Sequence, residues 1–304
     1  MATASEIGLT YNWMDRLFRA AFGETADLTC AFYDGDFSKS LEQAQSDKHA
    51  WILGTLGFKR GDRVLDIGSG WGNMLKAVAD RGGSALGITL SSAQVEACRQ
   101  NGLDARLKDW KEVEPDEIGT FDHIVSLGAF EHFCSIDEFK SDRQDKIYDD
   151  FFRLCHALLP PGGGLYLQTM TWGSKVPDPD RDMSLAAPEG SDEKIFGRLE
   201  VFYPGSFLPS GEEQIIECAR PYFSLVSANN GRKDYIETLT QWTRTTRRYV
   251  RNPLHWPLAL PILTFHLFRD EGFLQRLLFI YHCDQQEVFV RGLFDHQRMF
   301  FRRR

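Results

Sequence analysis

The first half of the chain alternates short apolar runs with segments whose apolar residues repeat at the helical period. Residues 40–57 place apolar side chains such as Trp51 and Leu56 near one face of a helix, and an apolar run over 63–67 then enters a glycine-rich turn. The same alternation predicts helices over 73–80, 91–101 and 144–158, and strands over 85–88, 105–107, 121–127 and 164–171. Strands that alternate with helices at this spacing predict a doubly wound α/β fold with a mostly parallel sheet.

The pattern changes in the second half of the chain. Residues 172–192 are rich in Asp, Pro, Ser and Gly, which predicts an exposed loop able to act as a lid. Ser210 followed by Glu213 predicts a capping box and hence a helix over 211–220. The remaining pattern predicts a strand over 223–228, helices over 233–250 and 274–290, and a closing strand over 297–302.

The first predicted strand leads into the glycine-rich segment Asp66-Ile67-Gly68-Ser69-Gly70-Trp71-Gly72. Its glycines permit positive φ and remove side chains that would keep a ligand away from the backbone. Doubly wound folds bind ligands at the carboxyl ends of their strands, so this loop predicts a site for a nucleoside or amino-acid moiety. The Gly-x-Gly-x-Gly spacing differs from the Gly-x-Gly-x-x-Gly dinucleotide pattern. It resembles motif I of class I S-adenosylmethionine-dependent methyltransferases.

Composition and charge argue against a nucleic-acid-binding, metal-binding or membrane-spanning protein. The 304 residues carry a net charge of -8, which argues against a nucleic-acid partner because phosphate binding needs a basic face. The six cysteines have no Cys-x-x-Cys spacing, so we expect reduced thiols in a cytoplasmic protein and no metal site. The apolar stretch over 254–268 is too short to span a bilayer, although it leaves transient contact with a membrane surface open. The sequence does not indicate an oligomeric state.

Segments beyond the glycine-rich loop carry a more specific resemblance. The second predicted strand ends in Gly87-Ile88-Thr89-Leu90 and lacks the usual acidic residue, and the fourth is followed by Gly128-Ala129-Phe130-Glu131-His132-Phe133. With Asp109-Trp110, they resemble the cyclopropane fatty acid synthase and mycolic acid cyclopropane synthase family. The other matching segments are Cys30-Ala31-Phe32-Tyr33, Ser40 to Gln45, Leu65 to Gly72, Thr89 to Gln94, Tyr203-Pro204-Gly205, Leu208-Pro209-Ser210, Asp234-Tyr235 and Thr238-Leu239. The resemblance runs from about Leu28 to the C-terminus.

This resemblance implies a seven-stranded class I methyltransferase fold that binds S-adenosylmethionine. The implied cofactor contacts are Thr29, Gly68, Gly70, Thr89, Leu90, Gln94 and Trp110, to which we add the neighbouring Asp66, Ser69, Gly72 and Asp109. An aromatic face suits a sulfonium cation, so Tyr33 or Trp71 is a candidate for that contact. Trp110 is expected beside adenine, although either tryptophan is also compatible with an ordinary core position.

The catalytic residues are implied by the same resemblance. Family members transfer a methyl group to an alkene carbon, and a bound bicarbonate ion then removes a proton from the resulting carbocation to close a cyclopropane ring. Of the residues that hold this ion, Cys30, Glu131, Tyr235 and Cys283 match, whereas Gln168 stands in place of a histidine. Glutamine keeps hydrogen-bonding capacity but cannot take a proton at neutral pH, so the matching residues imply methyl transfer, whereas the cyclopropanation step lacks its histidine.

Physical reasoning agrees on Glu131, which follows a buried strand at the edge where α/β folds place chemistry and where burial raises a carboxyl pKa. A salt-bridged structural glutamate is the alternative. Cys30 and Cys283 are equally compatible with small buried apolar positions, and we expect His132 to serve packing or hydrogen bonding.

We expect three parts: an N-terminal helical segment over 1–60 that contributes to the active site, a cofactor-binding core over 61–171, and a lid, acceptor-binding helical cap and closing strands over 172–304. Late apolar residues suit a lipid acceptor, although ordinary core positions are the alternative: Phe265, Phe268, Phe273, Leu277, Phe279, Ile280 and Phe289. The competing functions are a small-molecule C- or N-methyltransferase, because plant alkaloid N-methyltransferases share the Phe-Glu-His segment, and a ligand-binding module without activity.

Overall fold

The protein is described by a computed structural model that covers residues 27–269, 272–281 and 283–304. Residues 1–26 of the predicted N-terminal segment lie outside the described residues. The strands are β1 Arg63–Ile67, β2 Ser84–Thr89, β3 Ala105–Leu107, β4 His123–Leu127, β5 Gly164–Trp172, β6 Phe223–Asn230 and β7 Phe294–Arg303. The helices are α1 Leu41–Leu56, α2 Asn73–Asp80, α3 Ser92–Gln100, α4 Pro115–Ile118, α5 Ile136–Lys140, α6 Gln144–Leu158, α7 Asp192–Phe202, α8 Glu212–Ala219, α9 Arg232–Arg251, α10 Trp256–Arg269, α11 Phe273–Tyr281 and α12 Asp284–Val290.

The seven strands form one sheet in the order β3-β2-β1-β4-β5-β7-β6. The first five pair in parallel, and β7 runs antiparallel to both of its neighbours, β5 and β6. The predicted doubly wound, mostly parallel sheet is therefore confirmed. The strand order reverses between β1 and β4, and this switch point opens a crevice at the carboxyl ends of the two strands.

Local sequence sets several helix ends where they were predicted. Ser40 accepts a hydrogen bond from the Gln43 N–H at the start of α1, and Gly57 ends that helix in the left-handed region at φ 76°. Ser91 caps α3 in the same way through the Gln94 N–H. These ends match the sequence prediction because each signal lies within one turn of the helix that it bounds.

Two predictions in the second half were wrong in detail. Ser210 forms no capping box, because its side chain bonds Gln214 and α8 begins after Gly211. The single helix predicted over 274–290 is broken into α11 and α12, since Cys283 adopts the left-handed region at φ 61°. Helices α7 and α10 were not predicted, because the loop composition before α7 and the prolines of α10 conceal their helical period.

The described apolar side chains form three main clusters, and the third of them joins the strands to α1 and α2. One cluster joins the strands to α6 and includes Phe130, Phe151 and Phe152. A second cluster joins the end of β5 to α7, α9 and α12, and includes Trp172 and Tyr235. The second cluster belongs to the predicted cap, so the cap packs directly on the carboxyl end of the sheet. Among the described residues, no helix has the length and apolar character needed to cross a membrane.

Candidate functional site

A cleft of about 230 Å³ lies at the carboxyl ends of β1, β2 and β4. Ten of the eleven residues predicted to contact the cofactor line it: Thr29, Asp66, Gly68, Ser69, Gly70, Thr89, Leu90, Gln94, Asp109 and Trp110. The eleventh, Gly72, is absent from this lining and instead begins α2 with φ 83°. The cleft therefore brings together segments that are far apart in the sequence, at the switch point of the sheet.

Backbone geometry forms the floor of the cleft. The N–H groups of Gly68 and Ser69 donate to the Ile88 carbonyl at 2.9 and 3.1 Å, which fastens the loop to β2. Gly87 permits this approach, because a Cβ there would lie 2.5 Å from the Ser69 hydroxyl. At Gly70, φ is 52° and a Cβ would meet no atom within 4 Å, so this glycine borders open space inside the cleft.

Both polar and aromatic groups line the cleft. Thr89 donates to the Gln94 amide oxygen at 2.6 Å at the end of β2. Trp110 packs against Phe133 and lines the cleft, which suits a flat ring such as adenine. Trp71 also lines the cleft, whereas Tyr33 is buried against Phe37 and is absent from the lining. Of the two candidates for a sulfonium contact, Trp71 is therefore the one placed for it.

A buried charge network fixes the segment that carries Thr29. The Lys48 ammonium, on α1, donates to Asp27 at 2.7 Å, to Thr29 at 2.5 Å and to Gln45 at 2.5 Å. Burial alone would raise the pKa of Asp27, but Lys48 and His49 hold it well below its ordinary value, so Asp27 is ionised. This network anchors one wall of the cleft to α1.

Asp66 supplies an unused polar atom in the cleft. Burial raises the pKa of its carboxyl to about 7, and Oδ1 has no hydrogen-bond partner among the described residues. A buried polar atom without a partner is costly unless a ligand satisfies it. This atom and the space at Gly70 together indicate that the cleft accommodates a polar ligand against its loop.

Glu131 lies in a short 3₁₀ turn, Phe130–His132, directly after β4. Its carboxylate is buried and accepts a hydrogen bond from the Thr169 hydroxyl at 2.8 Å. Burial raises its pKa to about 7, despite hydrogen bonds that favour the ionised form. A carboxyl group of this kind exchanges a proton near neutral pH.

Gln168, on β5, contacts Cys30 directly. The Gln168 amide donates to the Cys30 carbonyl at 3.1 Å, and its Oε1 has no described partner. Gly128 connects them to Glu131: its N–H donates to the Gln168 carbonyl at 2.9 Å. A Cβ on Gly128 would lie 3.7 Å from Glu131 Oε1. Glu131 itself contacts Thr169, the next residue of β5, and no described hydrogen bond joins its carboxylate to Cys30 or to the Gln168 side chain.

The other two predicted catalytic residues lie further along the cap. Tyr235, on α9, packs its ring 4.7 Å from Phe289 and 4.9 Å from His296. Cys283 precedes α12 at the opposite end from Phe289, and Arg247 donates to its sulfur at 3.5 Å. This hydrogen bond joins Cys283 to the arginine-rich end of α9.

Some residues at the site were not predicted from the sequence. Arg298, on β7, donates to Cys30 Sγ at 3.3 Å and to Asp234 at 2.7 Å. No local signal identifies such a residue, because its partners are more than sixty positions away in the sequence. His132 hydrogen-bonds Ser206 at 3.0 Å, as its expected role suggested. It also borders both the cleft and a second cavity, whose other lining residues are Met170, Trp172, Met183, Leu199, Glu200, Tyr203, Ser206, Leu208 and Phe294.

The sheet carries a glycine-rich loop after β1, aromatic residues after β3 and a buried carboxyl group after β4. This combination defines a class I S-adenosylmethionine-dependent methyltransferase. The family described as mycolic acid cyclopropane synthetase matches residues 2–252, and the chain belongs to that family. Cyclopropane mycolic acid synthase 1 of Mycobacterium tuberculosis is 32% identical over 243 residues, which cover 77% of this chain and 78% of that protein.

Solved structures agree with the sequence comparison. The mycolic acid cyclopropane synthase CmaA1 complexed with SAH and CTAB superposes with a TM-score of 0.76 at 26% identity, covering 98% of each chain. The cyclopropane synthase MmaA2 from Mycobacterium tuberculosis gives a TM-score of 0.76 at 25% identity, again over 98% of each chain. The predicted family, fold class and S-adenosylmethionine-dependent methyltransferase activity are thereby confirmed.

Proposed function

We propose that the enzyme transfers a methyl group from S-adenosylmethionine to an alkene carbon of an unsaturated fatty acyl chain or another lipid-like acceptor. The observation that carries this proposal is that His132 lines both the cofactor cleft and a second, largely apolar cavity of about 20 Å³, which would have to widen to admit an acyl chain. An apolar chain in that widened cavity would approach the cleft at His132, the residue that follows Glu131. The names of the relatives, which are cyclopropane mycolic acid synthases, support the same acceptor class.

The residues of the cleft have separate roles in this proposal. Bound S-adenosylmethionine supplies an electrophilic methyl group. Gly68 and Gly70 admit the ligand to the backbone, Thr89, Leu90, Gln94 and Asp109 line its polar side, and Trp110 packs beside its adenine. The alkene electron pair forms the new C–C bond as the methyl–sulfur bond breaks, which leaves a cation on the neighbouring acceptor carbon. Holding both partners in line lowers the entropic part of the barrier.

Proton removal decides the product. Loss of a proton from the transferred methyl group closes a cyclopropane, whereas loss from a neighbouring acceptor carbon leaves a methylated alkene. Glu131 is the group that we assign to this step, because it is buried, directly precedes His132 in the chain and has a pKa near neutrality. Cys30 and Gln168 position the polar end of the site, and Tyr235 packs behind them.

Bicarbonate binding stays a prediction, and no step is routed through it, because the described residues fit the ion poorly. The Gln168 amide gives one of its two N–H donors to the Cys30 carbonyl, and its unpartnered oxygen Oε1 is an acceptor, which repels an anion.

The three predicted parts, 1–60, 61–171 and 172–304, are retained as a proposal for the working division of the chain. The lipid acceptor would enter through the third part, whose second apolar cluster packs on β5. We also propose a cytoplasmic location and transient contact with a membrane surface, where a lipid acceptor is available.

Incubation of the purified enzyme with methyl-labelled S-adenosylmethionine and a monounsaturated lipid tests the function. We expect the lipid to gain CH₂, with loss of the alkene signal for a cyclopropane or retention of an alkene for a methylated product. Gly70→Val is the inactive control. Transfer of label to a small amine, with none to lipid, would reject the lipid acceptor and support the small-molecule alternative.

A further inference from the structure

Helix α10, Trp256–Arg269, presents a continuous apolar face to solvent. Phe268 is 87% exposed and Leu260 is 52% exposed, and Leu254, just before the helix, is 84% exposed. Trp256 and Leu267 extend this surface along the helix. Exposed apolar residues at single positions are ordinary, but a connected set of large side chains marks a surface that meets another apolar phase.

The spacing of the exposed residues is helical. Trp256, Leu260, Thr264 and Leu267 follow one another at intervals of three or four residues, so they share one face. Pro257, Pro261 and Phe268 lie beside them on the same side. No Asp, Glu, Lys or Arg occurs between 256 and 268 in the sequence. This set, together with Leu254, is called the apolar face below.

Four arginines lie immediately before the apolar face in the chain. Arg244, Arg247, Arg248 and Arg251, on the last turns of α9, line one open depression together with Asn252. Arg244 lies 4.0 Å from Glu237, while a described partner of Arg247 is the Cys283 sulfur. This arginine cluster is a concentrated positive charge on a protein whose net charge is -8. A bias of that kind favours an anionic partner at this place.

We propose that the apolar face and the arginine cluster together form the surface by which the enzyme docks on an anionic lipid bilayer. The 14 residues of α10 extend about 21 Å, which is less than the hydrocarbon core of about 30 Å but suits a helix lying in the interface. Large apolar side chains would enter the acyl boundary while the arginines meet lipid headgroups. An acidic carrier protein would use the arginines but leave the apolar face uncovered.

Docking deepens the proposed function by bringing the enzyme to its lipid acceptor, but the binding is measurable without methyl transfer. Flotation with vesicles of phosphatidylcholine alone, or with added phosphatidylglycerol, measures the bound fraction of the full chain. We expect at least tenfold stronger binding to the anionic vesicles at low salt, because headgroup attraction is screened as ionic strength rises. Equal recovery with and without vesicles would overturn the proposal.

Two variants separate the contributions of the surface. Leu260→Glu with Leu267→Glu should reduce binding at least tenfold at every salt concentration, and Arg248→Glu with Arg251→Glu should remove the preference for anionic vesicles. Leu107→Glu, at another exposed apolar position, is the matched control and should bind normally. Vesicle binding that all three variants retain would overturn the assignment of the surface.

Activity on a detergent-dispersed acceptor distinguishes failure of docking from failure of the proposed function. Both surface variants should methylate the dispersed lipid at the rate of the unmodified enzyme and lose rate only on anionic vesicles. A different outcome is that the unmodified chain is a dimer that binds no vesicles, and that Leu260→Glu with Leu267→Glu converts it to a monomer. This result would identify the apolar face as a contact between two copies and would overturn docking.

Discussion

Gly68 and Gly70 lie two positions apart in one loop, yet their missing side chains serve different purposes. A Cβ on Gly68 would lie 2.3 Å from the Ala129 Cβ, whereas a Cβ on Gly70 would meet nothing within 4 Å. We expect Gly70→Val to abolish S-adenosylmethionine binding while the fold is largely kept, and Gly68→Val to lower the melting temperature more. Calorimetric titration and thermal unfolding measure the two effects. Unchanged cofactor affinity in Gly70→Val would reject the placement of the ligand against this loop.

The carboxyl group of Glu131 gives the reaction a pH dependence. Its pKa of about 7 means that the base is protonated below that pH, so turnover at saturating cofactor should rise as pH increases through about 7. Glu131→Gln should keep cofactor affinity, slow turnover by about 10²-fold or more and lose this rise. Steady-state rates between pH 5 and pH 9 check both points, and a near-normal rate for the variant would leave Glu131 with a structural role.

The raised pKa of Glu131 makes the free energy of unfolding fall with pH, whereas turnover rises with pH. The folded pKa lies above the ordinary value of 4.5, so the folded state binds more protons than the unfolded state between about pH 4.5 and 7. The contribution of Glu131 to the free energy of unfolding is therefore present at low pH and is lost as pH rises through this window. Asp66 is shifted in the same direction, so the contribution of Glu131 is obtained as the difference between the unmodified protein and Glu131→Gln.

Gln168 provides a test of how the product is chosen. An imidazole relays a proton near neutral pH, whereas an amide only orients its neighbours. We expect the unmodified enzyme to form some methylated alkene, and Gln168→His to shift the product ratio towards cyclopropane. Gln168→Asn is the control for the loss of the bond to Cys30. Chromatography on one monounsaturated lipid gives the ratios, and identical ratios, or pure cyclopropane from the unmodified enzyme, would reject the hypothesis.

At the residue scale, site residues that belong to a short sequence motif could be predicted from the sequence. Gly68, Gly70 and Thr89 were predicted because each belongs to a short segment with its own spacing. Lys48 and Arg298 were not predicted, since their burial depends on partners that the fold brings from distant positions. Gln168 was recognised as a departure from the family pattern, but only the structure identifies Cys30 as its partner.

At the scale of elements, α1 holds the cleft through Lys48, and this contact is the basis of a further prediction. Lys48→Met should lower the free energy of unfolding by about 3 kcal/mol, because removal of one partner leaves Asp27 buried with its charge poorly compensated. Cofactor affinity should fall as well, since Thr29 loses its anchor. Lys76→Met, which breaks an exposed pair with Asp80 on α2, is the control and should change stability by less than about 1 kcal/mol.

Denaturant unfolding and cofactor titration of the two lysine variants measure these effects. Equal stabilities would show that the network around Lys48 does not hold the cleft wall.

Elements with local end signals were predicted more accurately than those without them. Helix α6 was predicted over the residues that it occupies, because its apolar period is strong and Pro160 and Pro161 follow it. The helix break at Cys283 has no glycine or proline beside it, so the sequence pattern predicted one helix where the structure has α11 and α12. Helix α10 was missed because Pro261 lies inside it.

At the scale of the whole molecule, the strand order places β7, near the C-terminus, beside β5 from the middle of the chain. The alternating first half predicted the parallel part of the sheet, but sequence alone did not reveal that the last strand, β7, inserts between β5 and β6. Nine residue pairs join β5 to β7, from Gly164 with Arg302 to Trp172 with Phe294. The closing strands therefore belong to the cofactor core in space, although they follow the cap in sequence.

This topology predicts that the core does not fold without the end of the chain. Removal of residues 294–304 should abolish cooperative unfolding and cofactor binding together, because it leaves hydrogen-bonding groups of β5 and β6 unpaired and uncovers apolar residues such as Phe152 and Phe223, which pack on Phe301. Removal of the exposed Arg304 alone is the control and should preserve both properties. Circular dichroism during heating and calorimetric titration provide the readouts. A truncated chain that melts cooperatively and binds S-adenosylmethionine would show that the strands before β7 form a sufficient core, in which case the closing strands would serve only the cap.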